Sequence, residues 1–343
     1  MRILIDITHP AHAHFFRPTL PVLRARGHEV AITSRDKDVT LRLLDAFGIE
    51  HEMLSRAGRT RWQLLVEMLV RVSRLRGVVK RFRPHLILAR EGVFACQAGW
   101  LTGVPAISID DTDDAPIQHA LSFPFAWRVY TDRAYRKSVG SKQRFFKGVS
   151  CLAYLQPGVF EPDPSVLEAA GLGLEERLIF LRLVSWTSNH DYGHRGFDRH
   201  DLNRLLDRLE GFGRIVMSSE HALDEALEPY RITLDPQQIH HLMAFCSLYI
   251  GESPTMAAEC AVLGVPAIHV STRRVWYTEE LQRYELLHNV DNSADCLALA
   301  SNILQDSNYH LQNLKRRDHY LQEADDLVAV VLKAVEEVRP AAH

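Results

Sequence analysis

The chain has no long hydrophobic run, no paired-cysteine pattern and no excess of charge, and each lack removes a class of protein. No stretch reaches the roughly 18 apolar residues that a bilayer-spanning helix needs. The opening M-R-I-L-I-D-I-T is too short and too soon polar for a secretory leader. The five cysteines (Cys96, Cys151, Cys246, Cys260, Cys296) are scattered without a C-x-x-C spacing. That excludes a zinc ribbon or a disulfide scaffold and fits a reducing cytoplasm. With 40 Lys+Arg against 43 Asp+Glu the formal net charge is −3, so no nucleic acid or other polyanion is expected as a global partner. Repeats, low-complexity tracts and heptads are also missing.

What is present is a regular alternation of strand-like and helix-like segments over 343 residues, enough for two α/β domains with parallel sheets and separate cores. The run 157–164 holds three prolines and a glycine and reads as a linker. It separates a first domain, 1–156, from a second, 165–320. The closing segment 321–343, the end of a long helix over 309–338, is expected to return across the first domain. A helix is expected over 15–26, and a longer one over 61–83. The longer helix turns Leu64, Leu65, Met68, Leu69, Val72 and Leu75 inward, with Arg71, Arg74, Arg76, Lys80, Arg81 and Arg83 around them. Its basic face is either solvated or rests on an anionic membrane surface.

The organising stretch is 250–280, I-G-E-S-P-T-M-A-A-E-C-A-V-L-G-V-P-A-I-H-V-S-T-R-R-V-W-Y-T-E-E. Ser253 suits an N-cap, Pro254 the first helical position and Gly264 the stop. Such a helix start directs free N–H groups at an anion, most often phosphate. Glu259, one turn deeper, can accept from two sugar hydroxyls. The plain alternative is an ordinary capped helix between strands. His240 and His241 read as exposed residues at the start of the preceding helix, the alternative being a helix face that reaches a nucleotide base.

In the first domain, the loop after the first strand carries His9, His12 and His14 where ligands collect in a doubly wound sheet. Helix capping and loop packing are the plainer alternative to this cleft role. No Asp or Cys stands near enough to complete a metal set, and no metal is expected. His12 is the preferred general base. Two further strands end in Arg90-Glu91-Gly92 and Asp110-Asp111-Thr112-Asp113-Asp114. Glu91 and Asp110 are candidate proton acceptors. A solvated acidic loop, or a cation held by Asp110, Asp111 and Asp113, are the alternatives.

Ser253, Glu259, Leu263-Gly264 and Pro266 resemble the nucleotide-binding motif of GT-B glycosyltransferases, the two-Rossmann architecture. They are still more similar to the S-G-G-x-Q-E-E-A-x-x-L-G-x-P pattern of non-hydrolysing UDP-N-acetylglucosamine 2-epimerases. Pro254 and Thr255 replace that motif's glycines, and Thr278-Glu279-Glu280 stands where those epimerases carry T-E-R-P-E. Glu91 and Asp110 fall near the catalytic carboxylates of those enzymes. The resemblance implies a central cleft between two parallel sheets. It places the diphosphate on Ser253 and Thr255 and the ribose on Glu259. The loop after the second domain's first strand, with Arg182, Ser188, His190 and Arg195, would also contact the diphosphate, a flexible surface loop being the alternative. Nearly the whole chain resembles an uncharacterised family, domain of unknown function 354, through I-D-I-T-H-P-A-H-A-H-F-F at 5–16 and R-x-V-S-W-x-x-x-H-D at 182–191. Together these imply a cytoplasmic GT-B glycosyltransferase taking a nucleotide-activated sugar, UDP-linked, and an unnamed acceptor, with no cofactor. An epimerase and a non-catalytic sugar-nucleotide-binding protein are the other readings.

Overall fold

The computed structural model describes residues 1–184, 199–219 and 223–338. The chain divides into two compact units: Met1–Tyr154 with Asp325–His343, and Leu155–Ala324.

The first unit runs through β1 (Arg2–Ile7), α1 (Pro10–Phe16), α2 (Thr19–Ala25), β2 (Glu29–Asp36), α3 (Thr40–Ala46), β3 (Glu52–Arg56), α4 (Arg61–Phe82) and β4 (Leu86–Arg90). It continues through α5 (Val93–Thr102), β5 (Ala106–Asp110), α6 (Pro116–Ser122), β6 (Arg128–Asp132), β7 (Gln143–Phe146) and α7 (Leu152–Leu155). Its seven strands lie in the order β3-β2-β1-β4-β5-β6-β7, and every pairing is parallel. β1 and β4 sit centrally because they are apolar on both faces, as strands covered by helices on each side must be. The chain adds β2 and β3 to one side of β1 and then crosses to place β4 on the other. The C-terminal ends of β1 and β4 therefore form a topological switch point, where such sheets bind ligands.

Three elements depart from the sequence expectation. The helix over 15–26 is two helices, α1 and α2, interrupted at Arg17-Pro18. α1 begins at Pro10, with His9 as its N-cap accepting from Ala11 N. The histidine segment is thus helical, not a loop. The helix over 309–338 is also two, α14 (Tyr309–Glu323) in the second unit and α15 (Leu327–Glu336) in the first. Asp326 caps α15 by accepting from Val328 N and Ala329 N.

The third departure is the rotational setting of α4. The helix opens on a reciprocal capping box between Thr60 and Gln63. It turns Glu67 and Arg71 inward, so Arg71 is not part of a solvated basic face. Arg71 pairs with the buried Asp6 at 2.5 Å and donates to Ser34 O and Ser55 Oγ. Glu67 takes a bidentate grip from Arg35 at 2.7 and 2.6 Å and accepts from Ser55 and Gly58 N. Leu65 and Leu69, expected inward, face solvent.

The second unit contains α8 (Ser165–Ala169), β8 (Leu178–Leu183), α9 (Arg199–Leu209), β9 (Arg214–Ser219), α10 (Ile239–Ala244) and β10 (Cys246–Gly251). It then adds α11 (Pro254–Leu263), β11 (Ala267–Val270), α12 (Trp276–Arg283), β12 (Leu287–Val290), α13 (Ser293–Gln305) and α14. The parallel sheet has the order β12-β11-β10-β8-β9, with its switch point between β8 and β10. Residues 157–164 carry neither helix nor strand.

Candidate functional site

At the switch point of the first sheet the structure gathers charged groups from four strand ends. Arg90 ends β4, is buried, and lies over the Phe15 ring with its guanidinium carbon 4.9 Å from the centroid. It ion-pairs with Asp111 and donates to Ser150 Oγ at 3.1 Å. Burial opposes ionisation of Asp111, but Arg90 and the Ser150 and Thr112 hydrogen bonds outweigh it and hold the carboxyl below its ordinary range.

Glu91 follows in the left-handed region at φ 57°, uncommon for a residue with a side chain, and Gly92 repeats it at φ 50°. A Cβ on Gly92 would come within 2.7 Å of Cys96 Sγ and 2.9 Å of Ser108 Oγ, so this bend admits glycine alone. The Glu91 carboxylate makes no hydrogen bond or ion pair among the described residues. Desolvation, then the charges of Asp110 and Asp111, push it up to about 7 against the pull of Arg90 and Lys37.

His12 is buried. Its Nδ1 accepts from Thr8 N at 3.4 Å and lies 3.3 Å from Thr8 Oγ1. Desolvation, then Arg90 and His9, hold its protonation well below the ordinary histidine range. A neutral imidazole accepting at Nδ1 carries its proton on Nε2. The arrangement equips His12 to donate a hydrogen bond rather than to take up a proton near neutrality. His9 is held at about 3 by desolvation, Lys37 and Arg90. His14 packs into the interior, stacked on Tyr154 at 5.3 Å with Phe47 at its edge.

The acidic loop is not a solvated cluster. Asp110 is buried, and its Oδ1 accepts from Thr112 N at 3.0 Å and Tyr135 OH at 3.2 Å. His119 Nε2 stands 3.8 Å from the same oxygen. Asp113, also buried, pairs with Arg136. The carboxylates are drawn to separate partners, and among the described residues no three His, Cys, Asp or Glu converge as a metal set.

In the second unit, Ser253 caps α11 by accepting from Met256 N at 3.3 Å, and Thr255 is exposed on the first turn. Gly251, the last residue of β10, leaves no room for a side chain: a Cβ would meet Tyr249 OH at 2.5 Å and Arg182 Cβ at 2.9 Å. Arg182, on the neighbouring β8, donates to Ser218 Oγ at 3.3 Å. Glu252 accepts from Val184 N at 2.9 Å and locks the two strand ends together. Glu259 is buried with Oε1 3.1 Å from His240 Nε2, so His240 is a buried partner and not an exposed residue. Phe160 packs its ring edge-on against His240. Ser188, His190 and Arg195 lie outside the described residues.

Sequence reading passed over Arg90, Lys37, Arg273 and Arg274. Position was the available signal: each lies at or just after the C-terminal end of a strand, Arg90 on β4, Lys37 after β2, and the last two after β11.

A curated relative from Methanocaldococcus jannaschii, an uncharacterized protein, is 23% identical over 278 residues, 78% of this chain and 80% of its own. Among solved structures, the UDP-GlcNAc 2-epimerase of Neisseria meningitidis bound to UDP-GlcNAc aligns with a TM-score of 0.72 at 12% identity, over 98% of this chain and 100% of that one. The glycotransferase of kitacinnamycin aligns at 0.63 with 14% identity, over 99% of each. The Methanocaldococcus jannaschii UDP-GlcNAc 2-epimerase in complex with UDP-GlcNAc and UDP aligns at 0.63 with 12% identity, over 90% of this chain and 94% of that one. The fold, two parallel α/β sheets of GT-B type, is the one the sequence led us to expect. The family model described as "Protein of unknown function (DUF354)" matches residues 1–339, and the chain belongs to that family.

Proposed function

We propose that the protein is a glycosyltransferase that moves a sugar from a nucleoside diphosphate, UDP in the first instance, to an acceptor hydroxyl. The observation that carries this reading is Glu91, a carboxylate without a protein partner among the described residues at the first sheet's switch point. Its affinity for protons matches neutral pH, where a general base works best. Glu91 takes the acceptor's proton and the acceptor oxygen bonds to the sugar's anomeric carbon. The bond from that carbon to the diphosphate oxygen breaks, and its electron pair leaves with the nucleoside diphosphate. His12 donates through Nε2 to a ligand oxygen.

In the second unit the leaving diphosphate meets the N-terminus of α11, with Ser253 and Thr255, and the cation of Arg182. Ser188, His190 and Arg195 are proposed phosphate contacts on the sequence pattern alone. Glu259, braced by His240, is offered to the ribose. Helix dipole and arginine supply the positive charge, so the reading requires no metal or cofactor.

Transfer is preferred to epimerisation because a two-carboxylate epimerase needs a second free acid. Asp110 already accepts from Thr112 and Tyr135, and Asp111 pairs with Arg90. The test is nucleoside diphosphate release from UDP-, GDP-, ADP- and TDP-sugars, with and without hydroxyl acceptors. Acceptor-dependent release supports transfer. Conversion of the sugar with no acceptor present makes the protein an epimerase, and binding without turnover makes it a sensor.

A further inference from the structure

The buried pairs of α4 have a consequence at the opposite face of the helix. Glu67 and Arg71 fix its rotation, and the apolar residues of its first half are left outward. Trp62 and Leu69 are 72% and 64% exposed, and Leu65, Val66 and Val70 between 41% and 44%. Their spacing is i, i+3, i+4, i+7 and i+8, one continuous stripe two turns long. Isolated exposed apolar residues are ordinary, but a contiguous stripe led by tryptophan marks an interaction surface.

Basic residues bracket the stripe. Arg59 and Arg61 stand exposed at one end; Arg76 and the exposed Lys80 lie at the other. The only acid in the helix, Glu67, is buried in its grip with Arg35. Of the carboxylates on β2 and β3, the exposed Glu52 is paired with Arg81 and the half-buried Asp36 with Arg56.

We infer that the outward face of α4 docks on an anionic lipid surface, lying in the interfacial plane with Trp62, Leu65 and Leu69 in the acyl boundary and the basic ends on headgroups. Charge decides between this occupant and a second copy of the chain. A two-fold contact through this face is self-complementary. It would set Arg59 and Arg61 against Arg76 and Lys80 if the helices ran antiparallel, or each against itself if parallel, with no exposed helix acid to neutralise either arrangement. Among the described residues no helix is long and apolar enough to cross a membrane, so the contact is peripheral. It is independent of the reaction assigned above.

The experiment is co-sedimentation of the full chain with vesicles of phosphatidylglycerol and phosphatidylcholine, or of phosphatidylcholine alone, at low and high salt. The wild type should pellet with the anionic vesicles and release as salt screens the charges. Trp62→Ser with Leu69→Ser should weaken partition about tenfold or more by removing inserted apolar surface. Arg76→Glu with Lys80→Glu should weaken it about tenfold through charge. Trp62, Leu69 and Lys80 are exposed and Arg76 is half-buried, so circular dichroism and thermal unfolding are measured on each variant to show that it keeps the parental fold. Equal binding to both vesicle types, no binding at all, or retention of binding by both variants overturns the inference. So does light scattering that finds a dimer which Trp62→Ser dissociates while no vesicles are bound.

Discussion

A single backbone decision at Glu91 and Gly92 shapes the candidate site. Both residues take the left-handed conformation, which swings the Glu91 carboxylate out of line with β4 and starts α5. The carboxylate then stands near Asp110, Asp111, Arg90 and Lys37. Two outcomes follow. If Glu91 is the base, activity should rise with pH and level off above about 7, where the carboxylate is ionised. Glu91→Gln should lose about 10²–10⁴-fold in turnover and abolish that limb, while nucleotide affinity persists. The second outcome concerns stability. Its folded-state pKa is raised above the ordinary carboxylate value. The folded chain therefore binds more protons than the unfolded chain between pH 4.5 and about 7, and stability falls as pH rises through that window. Glu91→Gln should melt above the parent at pH 8, with the difference shrinking as pH falls towards 4.5. A variant that melts identically at every pH would falsify the electrostatic account. Gly92→Ala should cost about 1–3 kcal/mol in urea unfolding, because its methyl group meets Cys96 and Ser108 on a backbone that disfavours it.

At the scale of elements, α11 and α10 act as a pair. α11 offers its N-terminus at the strand ends, and α10 supplies His240 to the Glu259 carboxylate one turn in. A Glu259 that only held a ligand could be replaced by Ala without loss of stability. The buried contact argues otherwise: truncation leaves an interior imidazole without its acceptor, a loss of about 1–3 kcal/mol. Glu259→Gln keeps an acceptor for His240 and should recover most of that stability. If Glu259 also holds the ribose, both variants should bind UDP more weakly. If only the alanine variant is affected, in binding and stability alike, Glu259 is a positioning residue. Calorimetry beside chemical denaturation separates the two.

For the molecule as a whole, the first unit is assembled from both ends of the chain. α15 buries Leu327, Val331, Leu332 and Val335 there, and Glu337 accepts from Tyr130 OH at 2.6 Å. Each buried aliphatic contributes about 1.5–3 kcal/mol, so deleting 325–343 removes more than a typical domain can spare. Denaturant unfolding of the truncated chain should show the first unit lost or strongly destabilised, with the second unit's transition near its parental position. A single unchanged transition would contradict the division into two units.

Much of the fold was written in local patterns. Apolar strands such as R-I-L-I-D-I and H-L-I-L-A, helix stops at Gly27, Gly48 and Gly264, and the Ser253-Pro254 start are decided by steric and capping preferences within a few residues. The clustering of strand-end residues was legible for the same reason, because parallel α/β sheets collect ligand-facing groups at one edge. Contacts between distant segments were not. Local pattern assigned Leu65 and Leu69 to the core and Arg71 to solvent. The Asp6–Arg71 and Arg35–Glu67 pairs, which join β1 and β2 to α4, reversed both assignments. His240 looked exposed until Glu259 of the next helix covered it. For the Asp110–Asp114 run the sequence left a proton acceptor, a cation site and a solvated loop open, and it could not show that Arg90, Tyr135 and Arg136 reach these acids from other strands and loops. Buried charge sets these choices because an unpaired ion in the interior is too costly, and its partner can stand anywhere in the sequence. Sequence determined the elements and the sheet edge that holds the candidate site. Tertiary structure decided which of its acids are paired and, among the described residues, left the Glu91 carboxylate without a hydrogen bond or ion pair.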